Sequence, residues 1–157
     1  MEDREYSATE ILEQWIVPTA SVFFRNECLN YPIKHEEKIL VGDIFLFEQC
    51  VHTGKIVGMS ESMSVYRIQF GGVISSNTFQ NTMNRPEHYK CIAENFPKID
   101  RDVANRLIAN AYWDRVNIQP KICDRIKDMC IAIKFGSYKQ TLSEFKKRFL
   151  NRLSRMF

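Results

Sequence analysis

The chain has 157 residues, 45% of them apolar and 26% charged, with a formal net charge of +3. A chain of this size buries roughly 70% of the surface its unfolded form exposes, so a core forms without metals or disulfides. This composition argues against disorder beyond the first few residues, and no low-complexity tract or internal repeat occurs. A single domain over residues 1–157 is expected, with a helix in 1–19, a β-rich part in 20–98 and a helical part in 99–157.

No run is long enough to cross a membrane. The longest apolar stretch, residues 39–47, is broken by Gly42 and Asp43. The acidic start (Glu2, Asp3, Glu5) lacks the apolar region of a secretory signal. The five cysteines, Cys28, Cys50, Cys91, Cys123 and Cys130, therefore read as free thiols in a reducing compartment, cytoplasmic or nuclear.

Ser7 and Glu10 form a capping-box pattern ahead of an apolar stripe (Ile11, Leu12, Trp15, Ile16), and Pro18 ends that helix. Strands are expected next. Residues 21–24 make a short one. Residues 39–47 are β-branched and aromatic, with a Gly-Asp break. A turn at His52-Thr53-Gly54 leads into residues 55–59. Residues 65–70 alternate and end at Gly71-Gly72, and Val73 and Ile74 extend them. Short runs between turn signals predict an α+β fold built on a small curled sheet or barrel. Gly42 and Gly58 are expected at bulges or close approaches. Residues 75–97 read as a polar loop, with a short helix over 86–95.

Asp100 caps a helix carrying Val103, Leu107, Ile108, Ala111 and Tyr112 on one face. Pro120 opens another. Its inner face is expected to be Ile122, Ile126, Met129, Cys130 and Ile133, and Gly136 ends it. Thr141 and Glu144 suggest a second capping box. The last helix would turn Leu142, Phe145, Phe149, Leu150 and Leu153 inward.

Charge is uneven along the chain. Residues 134–157 hold Lys134, Lys139, Lys146, Lys147, Arg148, Arg152 and Arg155 against Glu144 alone, an excess of six, and the rest sums to −3. Such an excess attracts phosphates or acidic partners.

Chemistry-bearing constellations are sparse. Cys50 and His52 would share a strand face, and His88 and Cys91 add a second soft pair, giving four potential zinc ligands at a spacing unlike a standard finger. No cysteine is marked as an activated nucleophile. Glu36-Glu37 and Asp100/Asp102 read as solvated carboxylates, and no Gly-rich phosphate loop occurs. No cofactor is implied. Trp15, Tyr31, Tyr66, Tyr89 and Trp113 are candidate base-stacking rings.

The segment Val41-Gly42-Asp43-Ile44-Phe45-Leu46-Phe47, a turn, then Gly54-Lys55-Ile56-Val57-Gly58-Met59 resembles an element of PUA-like domains (the EVE, ASCH and YTH families), and residues 21–26 match the strand before it. The resemblance covers residues 21–70. It implies a β-barrel with flanking helices that binds RNA or a modified base without catalysis. Its pocket would lie near Arg25, Asn26, Lys55 and Arg67, with Lys146, Lys147, Arg148, Arg152 and Arg155 contacting phosphates of RNA or single-stranded DNA. Two other readings remain open. One is a protein-interaction or accessory factor, viral or host-modulating types among them, whose basic helix meets an acidic protein. The other is a cysteine-dependent enzyme using Cys50 or Cys28.

Overall fold

Over residues 3–14, 21–61 and 78–153, which the computed structural model describes, the chain is mainly helical. The order is β1 (Arg4–Tyr6), α1 (Ala8–Glu13), two 3-10 turns (Asn26–Asn30 and Glu36–Lys38), α2 (Gly42–Thr53), β2 (Ile56–Gly58), α3 (Thr78–Asn95), α4 (Arg101–Ile118), α5 (Ile122–Phe135) and α6 (Tyr138–Leu153). The only sheet among the described residues pairs β1 with β2 antiparallel, setting Arg4 opposite Gly58 and Tyr6 opposite Ile56.

Local chemistry explains several helix ends. The Ser7 hydroxyl accepts from the Glu10 amide at 3.3 Å, and the Glu10 carboxylate accepts from the Ser7 amide at 2.9 Å, so two orphan donors of the first turn are satisfied. The Asp100 carboxylate accepts from the amides of Asp102 and Val103 at 2.9 and 3.1 Å and starts α4. Gly136 ends α5, where a Cβ would come within 3.0 Å of the Ala132 carbonyl oxygen. The final helix begins earlier than Thr141 suggests. Ser137 Oγ accepts from the Gln140 amide at 3.2 Å, while the Gln140 side chain donates to Arg106 O and Asn110 Oδ1 of α4.

Among the described residues the expected barrel is not formed, and the sheet has two strands. Residues 42–47 of the expected strand, and His52 and Thr53 of the expected turn, lie in helix α2, which buries Phe45, Phe47, Glu48, Gln49, Cys50 and Val51. A helix buried on most sides has a nearly continuous apolar sequence, and so does a buried strand; periodicity does not separate them over so short a run. The Gly42–Phe47 segment that carried the PUA-like resemblance is helical, and only Ile56–Gly58 of its second strand is extended. Gly42 has open space where a Cβ would sit, so no close approach requires it. Residues 22–25 form no strand. The strands expected over 65–70 and at Val73 and Ile74, together with Trp15 and Ile16, lie outside the described residues. The helix expected over 86–95 begins at Thr78 instead, with Pro86 in its interior forfeiting one backbone hydrogen bond.

The core gathers Ile11 and Leu12 of α1, Phe45 and Phe47 of α2, Ile92 of α3, Phe96 after it, and Ile108, Tyr112 and Trp113 of α4. The irregular segment before α2 is clamped to the end of α3. Asn95 donates to Lys34 O and accepts from the Lys34 amide, at 2.9 and 2.8 Å, as a paired strand would. Tyr31 donates to Asn95 O at 2.9 Å, and Cys91 donates to the carbonyls of Lys34 and His35.

Candidate interaction surface

Helix α5 packs along α4 through small and charged residues rather than through its strongest apolar stripe. Its buried side chains are Asp128 and Ala132, with Met129, Ile131 and Phe135 partly covered. Ala132 and Ala109 of α4 are fully buried, and small side chains of this kind let two helix backbones come close. Asp128 is held by Arg115 of α4 in a two-pronged contact, Nε to Oδ2 at 2.9 Å and Nη2 to Oδ1 at 2.5 Å. Gln119 adds a bond to Asp128 Oδ2, Arg115 also donates to Met83 O of α3, and its guanidinium lies 4.6 Å from the Tyr112 ring centroid. A buried carboxylate requires such a partner, and forked guanidinium geometry supplies it. Docking through Asp128 therefore sets the rotation of α5.

That rotation points the expected inner face outward. Ile122 is 72% exposed, Ile126 56% and Ile133 43%. Cys130 is exposed too, and of the five residues expected to face inward only Met129 packs against the core. At about 100° per residue the three isoleucines lie within about 40° of one another and span about 16 Å. Burying a fully exposed isoleucine is worth about 1.5–3 kcal/mol, and these three would gain the share of it that their remaining exposure leaves, so three in one line form a surface rather than a scatter of single residues. Tyr138 and Leu142, four residues apart at the start of α6, are also exposed.

The surround of this stripe is cationic. Lys121, Arg125, Lys127 and Lys134 of the α5 region are exposed, as are Lys139 and Lys146 of α6. Asp124 and Glu144 are half-buried, and Asp128 is buried beneath Arg115.

Arg25, Asn26 and Lys55, also singled out by sequence, lie outside α5 and α6. Arg25 precedes the first 3-10 turn and Asn26 begins it, both exposed. Lys55 pairs with Glu5 at 2.8 Å. Arg67 and Arg155 lie outside the described residues, while Lys147, Arg148 and Arg152 lie along α6. Of the stacking rings, Trp113 is in the core, Tyr89 is half-buried, and Tyr31 is bonded to Asn95 and stacked on Phe96 at 5.3 Å. Trp15 and Tyr66 lie outside the described residues.

The four soft ligands are committed to structure. Two residues apart on helix α2, Cys50 and His52 point about 200° apart, not to one face. His52 Nε2 accepts from the Lys98 amide at 3.0 Å, and its Nδ1 lies 2.8 Å from the Glu48 carbonyl oxygen, which assigns the proton to Nδ1. His88 Nδ1 accepts from the Leu40 amide at 3.2 Å. Among the described residues no cluster of histidine, cysteine and acidic side chains could hold a metal. Burial, reinforced by the neighbouring Cys28 thiol, pushes the Cys50 thiol up to about 12, and burial with Glu94 nearby raises Cys91. A thiol held protonated is a poor nucleophile.

Glu48 is a buried group that sequence reasoning missed. It is wholly buried, and neither carboxyl oxygen has a hydrogen-bond partner among the described residues. Desolvation pushes it up to about 8, while burial lowers His52. The 3.7 Å approach of Glu48 Oε2 to His52 Nδ1 is thus a contact of two neutral groups at neutral pH, not an ion pair. A glutamate inside the run Phe45-Leu46-Phe47-Glu48-Gln49-Cys50 was the available signal. No family model, curated protein or solved structure matches the chain.

Proposed function

We propose that the chain is a protein-interaction factor whose C-terminal helices, α5 and α6, meet an acidic protein partner. The carrying observation is the outward line Ile122, Ile126 and Ile133 set among exposed lysines. Apolar side chains surrounded by a charged rim are the anatomy of a protein–protein contact. The competing reading, RNA or single-stranded DNA on the same cations, calls for phosphate contacts and stacking rings and leaves three isoleucines without a role. Among the described residues there is no barrel to add base selectivity.

The test titrates the full chain with a labelled glutamate-rich polypeptide and with a single-stranded oligonucleotide of equal charge, at several salt concentrations. The expected result is polypeptide binding that persists near physiological salt and weakens when Lys134, Lys139 and Lys146 become Gln. Tighter oligonucleotide binding, with the salt slope falling by about 2–3 units in a variant carrying Gln at 147, 148 and 152, would overturn the reading in favour of nucleic acid.

A further inference from the structure

We infer that the element of the partner that docks here is an acidic amphipathic α-helix of about three turns, lying along α5. This rests on the interaction reading above and deepens it. The stripe is built at helical spacing: Ile126 follows Ile122 by four residues and Ile133 follows Ile126 by seven. An approaching helix with apolar residues at the same spacing sets its ridge beside this one over the full three turns. An extended segment repeats every two residues and does not keep this register.

Charge complementarity selects the occupant. Lys127 and Lys134 flank the stripe on one side, with Arg125 and Lys121 on the other. Carboxylates on the shoulders of an incoming helix would meet cations on both sides. A second copy of this chain would bring lysines against lysines, and like charges across an interface disfavour pairing. Among the described residues α6 leaves the stripe exposed, and Gln140 anchors its first turn to α4.

The probe is a synthetic peptide with leucines at i, i+4, i+8 and i+11 and glutamates between them. Its control is a peptide of identical composition with the leucines scattered round the helix. Binding to the full chain is read by fluorescence anisotropy, and far-UV circular dichroism checks that each variant is folded. Because the isoleucines are exposed, Ile122→Ala and Ile126→Ala leave the fold intact. The patterned peptide should bind at least about tenfold tighter than the scattered one, and Ile126→Ala should remove about tenfold of that affinity. Equal binding of both peptides, sensitive only to the lysine changes, would overturn the helix inference while leaving the acidic-partner reading standing. Binding of neither peptide at low salt would overturn both. Sedimentation showing an Ile126-dependent dimer of the chain would assign the stripe to a second copy and overturn the inference as well.

Discussion

Replacing Glu48 by Gln separates the cost of the buried carboxyl from everything else in the fold. Glu48 titrates near 4.5 when solvated and is pushed up to about 8 in the native chain. Between those values the unfolded chain has lost the proton and the native chain keeps it, so stability falls as pH rises, by about 1.4 kcal/mol per pH unit. His88 acts in the opposite sense. Burial lowers it from 6.5 to about 4, so its contribution is present above 6.5 and is lost as pH falls toward 4. The two slopes cancel between about 4.5 and 6.5, and above that Glu48 alone removes about 2 kcal/mol by pH 8. In Glu48→Gln the falling limb disappears. The difference in unfolding free energy, variant minus native sequence, should therefore grow by about 3 kcal/mol from pH 5 to pH 7.5. Any constant cost of burying the amide shifts both ends equally, and the His88 contribution cancels in the difference. Urea titrations at half-unit pH steps measure it. A difference that stays constant within about 0.5 kcal/mol over that range would refute the claim that Glu48 is buried and protonated.

Three further changes probe the frame that positions the surface. Asp128→Ala leaves Arg115 without its buried partner and should cost about 3–5 kcal/mol, read as a fall in the urea midpoint; a loss below about 1 kcal/mol would mean that the pair does not hold α5 to α4. Ser7→Ala removes one arm of the capping box and should cost about 1 kcal/mol, with no change in peptide binding. Asn95→Ala cuts the bonds to both backbone groups of Lys34. It should raise hydrogen exchange over residues 31–41 ahead of global unfolding, whereas unchanged exchange there would refute the clamp.

Sequence was informative where a single residue type has one local use. Ser7 with Glu10, and Asp100 ahead of its helix, announce their caps because few side chains satisfy orphan amides. Ser137, whose hydroxyl accepts from the Gln140 amide, carries the same signal four residues ahead of the Thr141–Glu144 pattern that was read as the helix start. Residues 42–47 were misread because aromatic and β-branched side chains suit both a buried strand and a buried helix, and the partner surface decides between them. The orientation of α5 was hidden for a different reason. Its apolar stripe argues for burial, yet the buried pair Arg115–Asp128 lies 13 residues apart in sequence and fixes the opposite face against α4. Nothing in the spacing of the isoleucines reveals that an aspartate would take the inner position. The isoleucine face of α5 was therefore legible as a stripe beside a charge excess, but not as an exposed one.

The bare outer face of α5 can be measured directly with the thiols the chain already carries. Cys123 and Cys130 are exposed on that helix, while Cys50 and Cys91 are buried. The native protein at low concentration is treated with a maleimide for graded times, quenched, digested and mapped by mass spectrometry. Cys123 and Cys130 should be modified readily in the native chain, while Cys50 and Cys91 are modified only after denaturant is added. Protection of Cys123 and Cys130 in the native chain, released only on unfolding, would contradict it and place the isoleucine face of α5 inside the fold.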